Sequence, residues 1–315
     1  MRLINKILSR KEIQEKPPVL VDIGASGKIH SSWKKLANFS ICIAFDADLR
    51  DFSTEITNTK YKKLILINRV VSDCDGDKKF FLTNNPHCSS VLKPELNTLS
   101  DWLYKDYFVV NKVIDIESST LNNVLDELKI DYIDWFKTDS QGTDLRIYKK
   151  IPKNIRHKLF VAEFEPGIIN AYQDEDKLYS VLKLMNDDFF IDNIKFRGSH
   201  RIKPEIAKKN FSKFESKFIR LVNNESKLHA NVSYLNNFKS KNHYTKRDVL
   251  LFLAILIIKR QYLFCIEICD FYKKKFEDKI FNDIRFYCRR KVKFGVWRLI
   301  YHVPYKLALK FFKSR

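Results

Sequence analysis

The stretch Val19-Leu-Val-Asp-Ile-Gly-Ala-Ser-Gly27 joins a short apolar run to a turn that contains two glycines. The run up to Ile23 is rich in β-branched residues, which predicts a buried β-strand. Gly24 and Gly27 allow the backbone to turn tightly and to approach a ligand without a Cβ in the way. A helix from about Lys28 to Leu36 would point its first N–H groups at the same place. We therefore expect the first strand and the ligand-binding turn of an α/β domain.

Further apolar runs repeat this pattern of a strand followed by an acidic or polar residue. The predicted strands are Ile41–Phe45, Leu64–Val71, Tyr132–Lys137 and Leu159–Phe164. In an open parallel sheet the carboxyl ends of the strands form the edge where ligands bind. A single acid after a strand more often caps a helix, so it is the repetition that predicts a ligand site.

Asp46 follows the second predicted strand and lies roughly 20 residues beyond Asp22, the spacing at which an acid binds the ribose in nucleotide-binding α/β folds. A carboxylate suits this task because it accepts hydrogen bonds from two adjacent hydroxyls. The glycine spacing differs from the G-x-G-x-x-G of dinucleotide folds, so the turn does not specifically indicate a pyrophosphate. The residues alone therefore predict a nucleotide-like ligand.

Several short motifs between residue 17 and about residue 200 occur in an order that is found in a known family. They are Asp22–Gly27 with Trp33, Ala44–Asp48, Val70–Asp73 with Gly76 and Phe80-Phe81, Ser89-Ser90, Asp134–Leu145, and Ala162–Glu165 with Ala171-Tyr172. This set resembles the motifs of the FkbM-type S-adenosylmethionine-dependent methyltransferases. The strongest match is Lys137-Thr-Asp139-Ser-Gln141-Gly142-Thr-Asp144, which has the family's order of lysine, acid, glutamine, glycine and acid.

The resemblance implies an α/β fold of the class I methyltransferase (Rossmann-like) type, with a mostly parallel seven-stranded sheet, and S-adenosylmethionine as the cofactor. The implied cofactor-binding residues are Asp22, Gly24, Ala25, Ser26 and Gly27 at the methionine end, Asp46 at the ribose hydroxyls and Asp73 by the adenine amino group. Asp139 would lie beside the methyl group and the acceptor. No metal ion is required, and Cys265 and Cys269 without a nearby histidine make a poor zinc site.

Methyl transfer is an in-line displacement at carbon, so the enzyme mainly holds the acceptor, the methyl group and the sulfur collinear. A hydroxyl acceptor also needs a base, for which Asp139 and His87 are the candidates. Lys137 would reduce the charge of a developing alkoxide or pair with Asp139. The alternatives are an ordinary exposed loop histidine and a lysine in a structural ion pair. Because alternate residues of a strand share a side, Glu163 and Glu165 are expected to face the acceptor together or not at all.

These features predict a methyltransferase that O-methylates a hydroxyl of a sugar, glycan or glycolipid precursor. The first alternative is an NAD-dependent nucleotide-sugar enzyme, which is disfavoured by the missing third glycine and by the lack of a Tyr-x-x-x-Lys pair near a strand end. The second is a non-catalytic interaction module with a methyltransferase fold. The acids at Asp22, Asp46, Asp73 and Asp139 argue against the second alternative.

The charge of the chain is distributed unevenly. Residues 1–204 hold 32 basic and 29 acidic side chains, whereas residues 205–315 hold 26 basic and 9 acidic ones. This predicts a nearly neutral cofactor-binding domain over 1–204 and a basic, mainly helical region over 205–315. Within that region the ten apolar residues Val249–Ile258 are too few to span a bilayer and predict a buried helix.

Arg285–Arg315 holds ten basic residues and no acid, interleaved with aromatic and aliphatic residues. This composition suits peripheral contact with an anionic membrane surface. A helix docked on the protein is the next interpretation, and nucleic acid is the least favoured partner because no RNA-binding signature accompanies the charge. Because no secretory apolar region follows the basic N-terminus, we expect the cytoplasm, including its membrane face.

Overall fold

The computed structural model of the protein describes residues 2–25, 31–48, 60–239 and 243–302. They form two compact units. The sheet unit comprises the described residues of Val19–His30 and Ser40–Lys239, and the helical unit those of Met1–Pro18, Ser31–Phe39 and Ser240–Arg315. This division differs from the predicted domains 1–204 and 205–315, because the sheet unit continues to Lys239 and the N-terminal residues belong with the C-terminal helices.

The strands of the described residues belong to two sheets. The strands are β1 (Val19–Ile23), β2 (Ile41–Phe45), β3 (Lys63–Ile67), β4 (Val70–Ser72), β5 (Gly76–Thr83), β6 (Val110–Thr120), β7 (Trp135–Thr138), β8 (Val161–Phe164), β9 (Phe189–Ser199) and β10 (Ser226–Asn236). The main sheet has the order β3-β2-β1-β7-β8-β10-β9, and a small sheet has the order β4-β6-β5. In the main sheet β10 runs antiparallel to both of its neighbours, whereas β3, β2, β1, β7 and β8 pair in parallel.

Helices connect these strands and also build the helical unit. They are α1 (Arg2–Leu8), α2 (Lys11–Glu15), α3 (Leu96–Leu99), α4 (Leu121–Glu127), α5 (Asp144–Lys150), α6 (Lys153–Arg156), α7 (Leu178–Met185), α8 (Pro204–Asn210), α9 (Lys213–Val222), α10 (Lys246–Ile258), α11 (Tyr262–Phe276) and α12 (Ile280–His302). The prediction of an α/β fold with a large, mostly parallel sheet is confirmed.

One face of the main sheet carries an apolar core. Val21 of β1 and Phe136 of β7 pack there with Leu125 of α4, Ile147 of α5 and Val181 of α7, and all five side chains are buried. Burial of each such side chain contributes roughly 1.5–3 kcal/mol relative to exposure. Because strand residues alternate between faces, this packing fixes which side chains of β1 and β7 face the core. It thereby also fixes the position at which each strand passes into the loop at its carboxyl end.

Two strand predictions differ from the structure. The run Leu64–Val71 was expected to be one strand, but it breaks at Asn68-Arg69 into β3 of the main sheet and β4 of the small sheet. The described part of the region from residue 205 is mainly helical, as expected, but it also contains the long strand β10, which was not predicted. Pairing of β10 with β8 and β9 supplies the backbone hydrogen bonds that a helix would otherwise make.

The helical unit contains the apolar run as helix α10, which is buried from Val249 to Ile257. Thr245 and Asp248 form a capping box at its start. The buried interpretation of the run is therefore confirmed. No helix within the described part of the chain is long and apolar enough to cross a membrane.

Candidate functional site

The site lies where the strand order of the main sheet reverses, between β1 and β7. In open α/β sheets, a crevice beyond the carboxyl ends of the strands forms at this point and holds the ligand. A cavity of about 800 Å³ occupies this position, and its lining includes Gly24 after β1, Asp46 after β2 and Asp139 after β7. Three residues predicted from separate motifs therefore meet in one cavity.

Gly24 is required by the close approach of two loops. It has a φ of +76°, and a Cβ at this position would lie 2.2 Å from the backbone oxygen of Asp139. The Asp139 N–H donates a hydrogen bond of 2.9 Å to the carbonyl of Ile23. Only glycine combines the positive φ with this contact, so the turn after β1 lies directly against the loop after β7.

The first N–H groups of the turn have partners within the protein. The N–H groups of Gly24 and Ala25 donate to the carbonyl of Phe45, at 3.0 and 2.9 Å, so neither is available to a ligand carboxylate. Ser26 and Gly27 lie outside the described residues, as does the start of the predicted helix. The described continuation, Ser31–Lys35, is a 3₁₀ helix.

Asp22 and Lys137 form a buried ion pair between β1 and β7. Lys137 Nζ donates a hydrogen bond of 2.7 Å to Asp22 Oδ1, and the two residues are direct neighbours across the strands. Burial alone would lower the pKa of Lys137, but the charges of Asp22 and Asp139 and the hydrogen bond raise it above its ordinary value. Neither residue is in the described lining of the cavity. This favours the structural interpretation of Lys137.

Asp139 lies at the centre of a polar network on the cavity wall. Its Oδ1 accepts a hydrogen bond of 2.6 Å from Gln141 Nε2, and the Tyr172 hydroxyl lies 2.9 Å from both Gln141 Oε1 and the Cys88 carbonyl. Burial raises the pKa of the Asp139 carboxyl, although Lys137 and the Gln141 hydrogen bond oppose the change. The network fixes the carboxylate's position.

Glu165 and His229 are two further titratable residues of the site. Both line the cavity. Burial, followed by the charge of Asp139, raises the pKa of Glu165 to about 9. Burial lowers the pKa of His229, although the charge of Asp139 opposes this change. Glu165 belongs to a quoted motif, whereas His229 lies on β10, in a region predicted to be mainly helical. The alternation of apolar and polar residues from Leu228 to Tyr234 is the strand signal that could have indicated its position.

Glu163 and Glu165 were expected to face the acceptor together or not at all, but only Glu165 lines the cavity. Glu163 lies within β8 and accepts hydrogen bonds from Trp135 Nε1 at 3.1 Å and Ser233 Oγ at 3.0 Å. Glu165 comes after the last strand residue, Phe164, where strict alternation no longer holds. Only Glu165 is therefore part of the cavity lining.

Asp144 links the loops that carry Asp139 and Glu165. It is the first residue of α5, and it accepts hydrogen bonds from the backbone N–H groups of Ser140 at 2.9 Å and Glu165 at 2.7 Å. Burial raises its pKa to about 6, although the hydrogen bonds from Ser140 oppose this. Asp144 is outside the described lining, and its hydrogen bonds position the loops that carry Asp139 and Glu165.

The other predicted site residues differ in their placement. Asp46 lines the cavity, and its Oδ1 accepts a 2.9 Å hydrogen bond from the backbone of Asp48. His87 also belongs to the lining and is exposed, on the 3₁₀ turn Pro86–Cys88.

The structure does not bring Asp73 to the cavity. It follows β4 of the small sheet, and its Oδ1 lies 3.0 Å from both Lys78 Nζ and Ser72 Oγ. Burial would raise the pKa of Asp73, but these two hydrogen bonds lower it below its ordinary value. Asp73 therefore has a local structural partner rather than a place in the described lining.

The cavity is acidic although the chain has a net charge of +20. Its described lining has seven carboxyl side chains against two from lysine and arginine. The acids are Asp46, Asp48, Asp106, Asp139, Glu165, Glu175 and Glu225, and the bases are Arg69 and Lys217. This charge favours a ligand that carries positive charge.

Within the described residues, no three side chains are grouped in a way that could hold a metal ion. None of the known protein-family models, curated proteins or solved structures matches this chain.

Proposed function

We propose that the protein is an S-adenosylmethionine-dependent methyltransferase that methylates a hydroxyl of a sugar, glycan or glycolipid precursor. The observation that carries this proposal is the meeting of Gly24, Asp46 and Asp139 in one cavity where the strand order reverses. The family resemblance assigns these three positions to the methionine end, the ribose and the methyl group of the cofactor.

The sheet supports the finer fold that the resemblance implies. Counted along the chain, its seven strands have the order 3-2-1-4-5-7-6, and the seventh is antiparallel. This is the arrangement expected of the class I methyltransferase fold. The order also explains why the cofactor and the acceptor would meet at the ends of the first and fourth strands.

The residues of the cavity fit the cofactor in two respects. S-adenosylmethionine supplies a methyl group on a positively charged sulfonium, and it also carries an ammonium, a carboxylate and a ribose. The surplus of carboxyls in the lining suits the two positive charges, and Asp46 suits the ribose hydroxyls. Three groups that the resemblance implies as cofactor contacts have partners within the protein: the N–H groups of Gly24 and Ala25 and the carboxylate of Asp73. We therefore assign no cofactor contact to these groups.

Asp139 is the proposed base for the acceptor hydroxyl. Asp139 and Glu165 share a buried site, where like charges disfavour ionisation of both. The proton remains on Glu165, whose pKa is about 9, while the charge of Lys137 and the Gln141 hydrogen bond favour the ionised form of Asp139. The raised pKa of Asp139 makes it a stronger base than an ordinary aspartate. His229 and His87 are the alternative proton acceptors in the lining.

Calorimetric titration of the full chain with S-adenosylmethionine, S-adenosylhomocysteine and NAD tests the proposal. We expect both sulfur nucleotides to bind and NAD to bind weakly or not at all. Preference for NAD would support the nucleotide-sugar enzyme, and binding of none of the three would support the interaction module. With a labelled methyl donor and a panel of sugar hydroxyls, Asp139→Asn should lose transfer and keep cofactor binding.

We also propose peripheral contact of the basic C-terminal region with an anionic membrane at the cytoplasmic face. The described part of this region, on α12, exposes Phe294, Trp297 and Leu299 beside basic residues. Such a composition favours an anionic bilayer surface. Sedimentation with anionic vesicles should show weaker binding when Phe294 and Leu299 are both changed to serine.

A further inference from the structure

Helices α8 and α9 form an insertion between the two antiparallel strands β9 and β10. Ser212 and Glu215 form a capping box that fixes the start of α9: Glu215 N–H donates to Ser212 Oγ at 3.2 Å, and Ser212 N–H donates to Glu215 Oε2 at 2.8 Å. A capping box stabilises a helix start without tertiary contacts. The helix is therefore specified locally, although most of its surface is exposed.

One face of α9 is an exposed apolar row. Phe214, Phe218, Leu221 and Val222 are 71%, 46%, 76% and 88% exposed, and their spacing places them on one side of the helix. The rings of Phe214 and Phe218 lie 5.1 Å apart, so the row is continuous. Single exposed apolar residues are ordinary, but a contiguous apolar row marks an interaction surface.

The charge around this row indicates an anionic partner. The helix itself, residues 213–222, holds three basic side chains and one acidic side chain. Lys213 and Lys217 lie one turn apart beside the apolar row, and both belong to an exposed helix surface. A second copy of the same chain would bring like charges together, because its net charge is also +20. An apolar row with lysines beside it is the pattern of a helix that lies in the plane of an anionic bilayer.

The same helix belongs to the candidate site. Ser216 and Lys217 of α9 line the cavity, as does Asp106, which lies 3.9 Å from Lys208 of α8. Tyr107, next to Asp106, is exposed and also lines the cavity. A partner that binds the apolar row is therefore within one or two helical turns of residues that line the cavity.

We propose that α9 docks the sheet unit on an anionic lipid bilayer, with Phe214, Phe218 and Leu221 buried at the level of the headgroups. This surface belongs to the sheet unit, whereas the basic region of α12 belongs to the helical unit. The docking itself does not depend on the reaction. That the cavity then takes a lipid-borne acceptor rests on the proposed function.

Sedimentation of the full chain with phosphatidylcholine vesicles, with and without phosphatidylglycerol, tests the docking. The double variant Phe214→Ser/Leu221→Ser should bind the anionic vesicles at least about tenfold more weakly, because two apolar side chains no longer leave water. Lys213→Gln should weaken binding about fivefold, and only when phosphatidylglycerol is present. The matched control is Tyr179→Ser, an equally exposed apolar position on α7, which should bind like the wild type.

A site-specific probe separates α9 from α12. An environment-sensitive fluorophore on Phe218→Cys, in a chain whose exposed Cys74 is changed to serine, should shift to the blue on anionic vesicles. Thermal melting and calorimetry with S-adenosylmethionine should give wild-type values for the double variant, so that failure of docking is distinguished from failure of the proposed function. Three results would overturn the inference: no binding by the wild type, unchanged binding by the double variant, or self-association without vesicles that the double variant abolishes.

Discussion

Lys137 Nζ lies 2.7 Å from Asp22 Oδ1, and this ion pair joins the two strands between which the cavity opens. The side chains are 17% and 6% exposed, so solvent screens the pair weakly. The motif lysine and the motif acid are therefore each other's partners. Their pairing fixes the separation of the loops that bring Gly24 against Asp139.

Removing one member of this pair should destabilise the protein strongly. Lys137→Met leaves the Asp22 carboxylate buried without its partner, and we expect a loss of about 3–5 kcal/mol in the free energy of unfolding. The double variant Asp22→Leu/Lys137→Met removes both charges and should recover much of this loss. Urea denaturation of the three chains measures the coupling. If the single and double variants were equally destabilised, the ion pair would not be the cause.

Gly24→Ala should prevent the loops from approaching each other. The added Cβ would meet the Asp139 backbone oxygen at 2.2 Å, at a φ of +76°. We expect the free energy of unfolding to fall by at least about 3 kcal/mol, because the contact adds to the cost of the strained backbone, and we expect cofactor binding to be lost. Gly76→Ala is the matched control, because Gly76 has a φ of +108° but no atom within 4 Å of an added Cβ. Thermal melts of the two variants separate the contact from backbone strain alone, and equal losses would contradict the assignment.

The stability of the protein should fall as the pH rises from about 5 to about 9. Glu165 has a pKa of about 9 in the folded chain, whereas an unfolded glutamate loses its proton near pH 4.3. The folded state therefore binds more protons in this range, and each pH unit costs up to about 1.4 kcal/mol. Glu165→Gln should flatten the dependence, and Glu205→Gln on an exposed helix should leave it unchanged. Urea denaturation midpoints measured across this pH range give the pH dependence of the stability. An unchanged pH dependence in Glu165→Gln would exclude this carboxyl as its source.

Asp46 and Asp73 should differ in their effect on the cofactor. Asp46→Ala should weaken S-adenosylmethionine binding by about 1.5–3 kcal/mol, because a charged hydrogen-bond acceptor to the ribose is lost. Asp73→Ala should leave the affinity nearly unchanged, since Asp73 pairs with Lys78 away from the cavity. Calorimetric titration of both variants provides the comparison. Weakening by Asp73→Ala alone would reverse the assignment of the two acids.

The sequence predicted those parts of the fold that depend on local apolar runs. The strands Val19–Ile23 and Ile41–Phe45 agree with β1 and β2 because both are buried, as continuous apolar runs of a parallel sheet should be. Apolar runs show where strands form, but they do not show the order of the strands in the sheet. The resemblance to a known family, rather than periodicity, supplied the expectation of seven strands.

The errors concern residues whose structure depends on distant partners. The acid after the third predicted strand, Asp73, was assigned to the ligand, but the break at Asn68-Arg69 transfers β4 to another sheet. β10 alternates apolar and polar residues from Leu228 to Tyr234, a strand pattern that the prediction of a mainly helical region overlooked, and its place in the sheet depends on pairing with β8 and β9. His229 enters the site through this pairing, which the alternation alone could not have predicted.

The helical unit joins segments from opposite ends of the described chain: Lys6 pairs with Asp283 at 2.8 Å, and Arg10 pairs with Asp278. Synthesis on the ribosome proceeds from the N-terminus, so α1 and α2 emerge before their partners on α10 and α12. Helices of seven and five residues are too short to persist alone in water. Every strand of the main sheet has been made by residue 236, so the sheet unit can fold while the nascent N-terminal segment still has no place to dock.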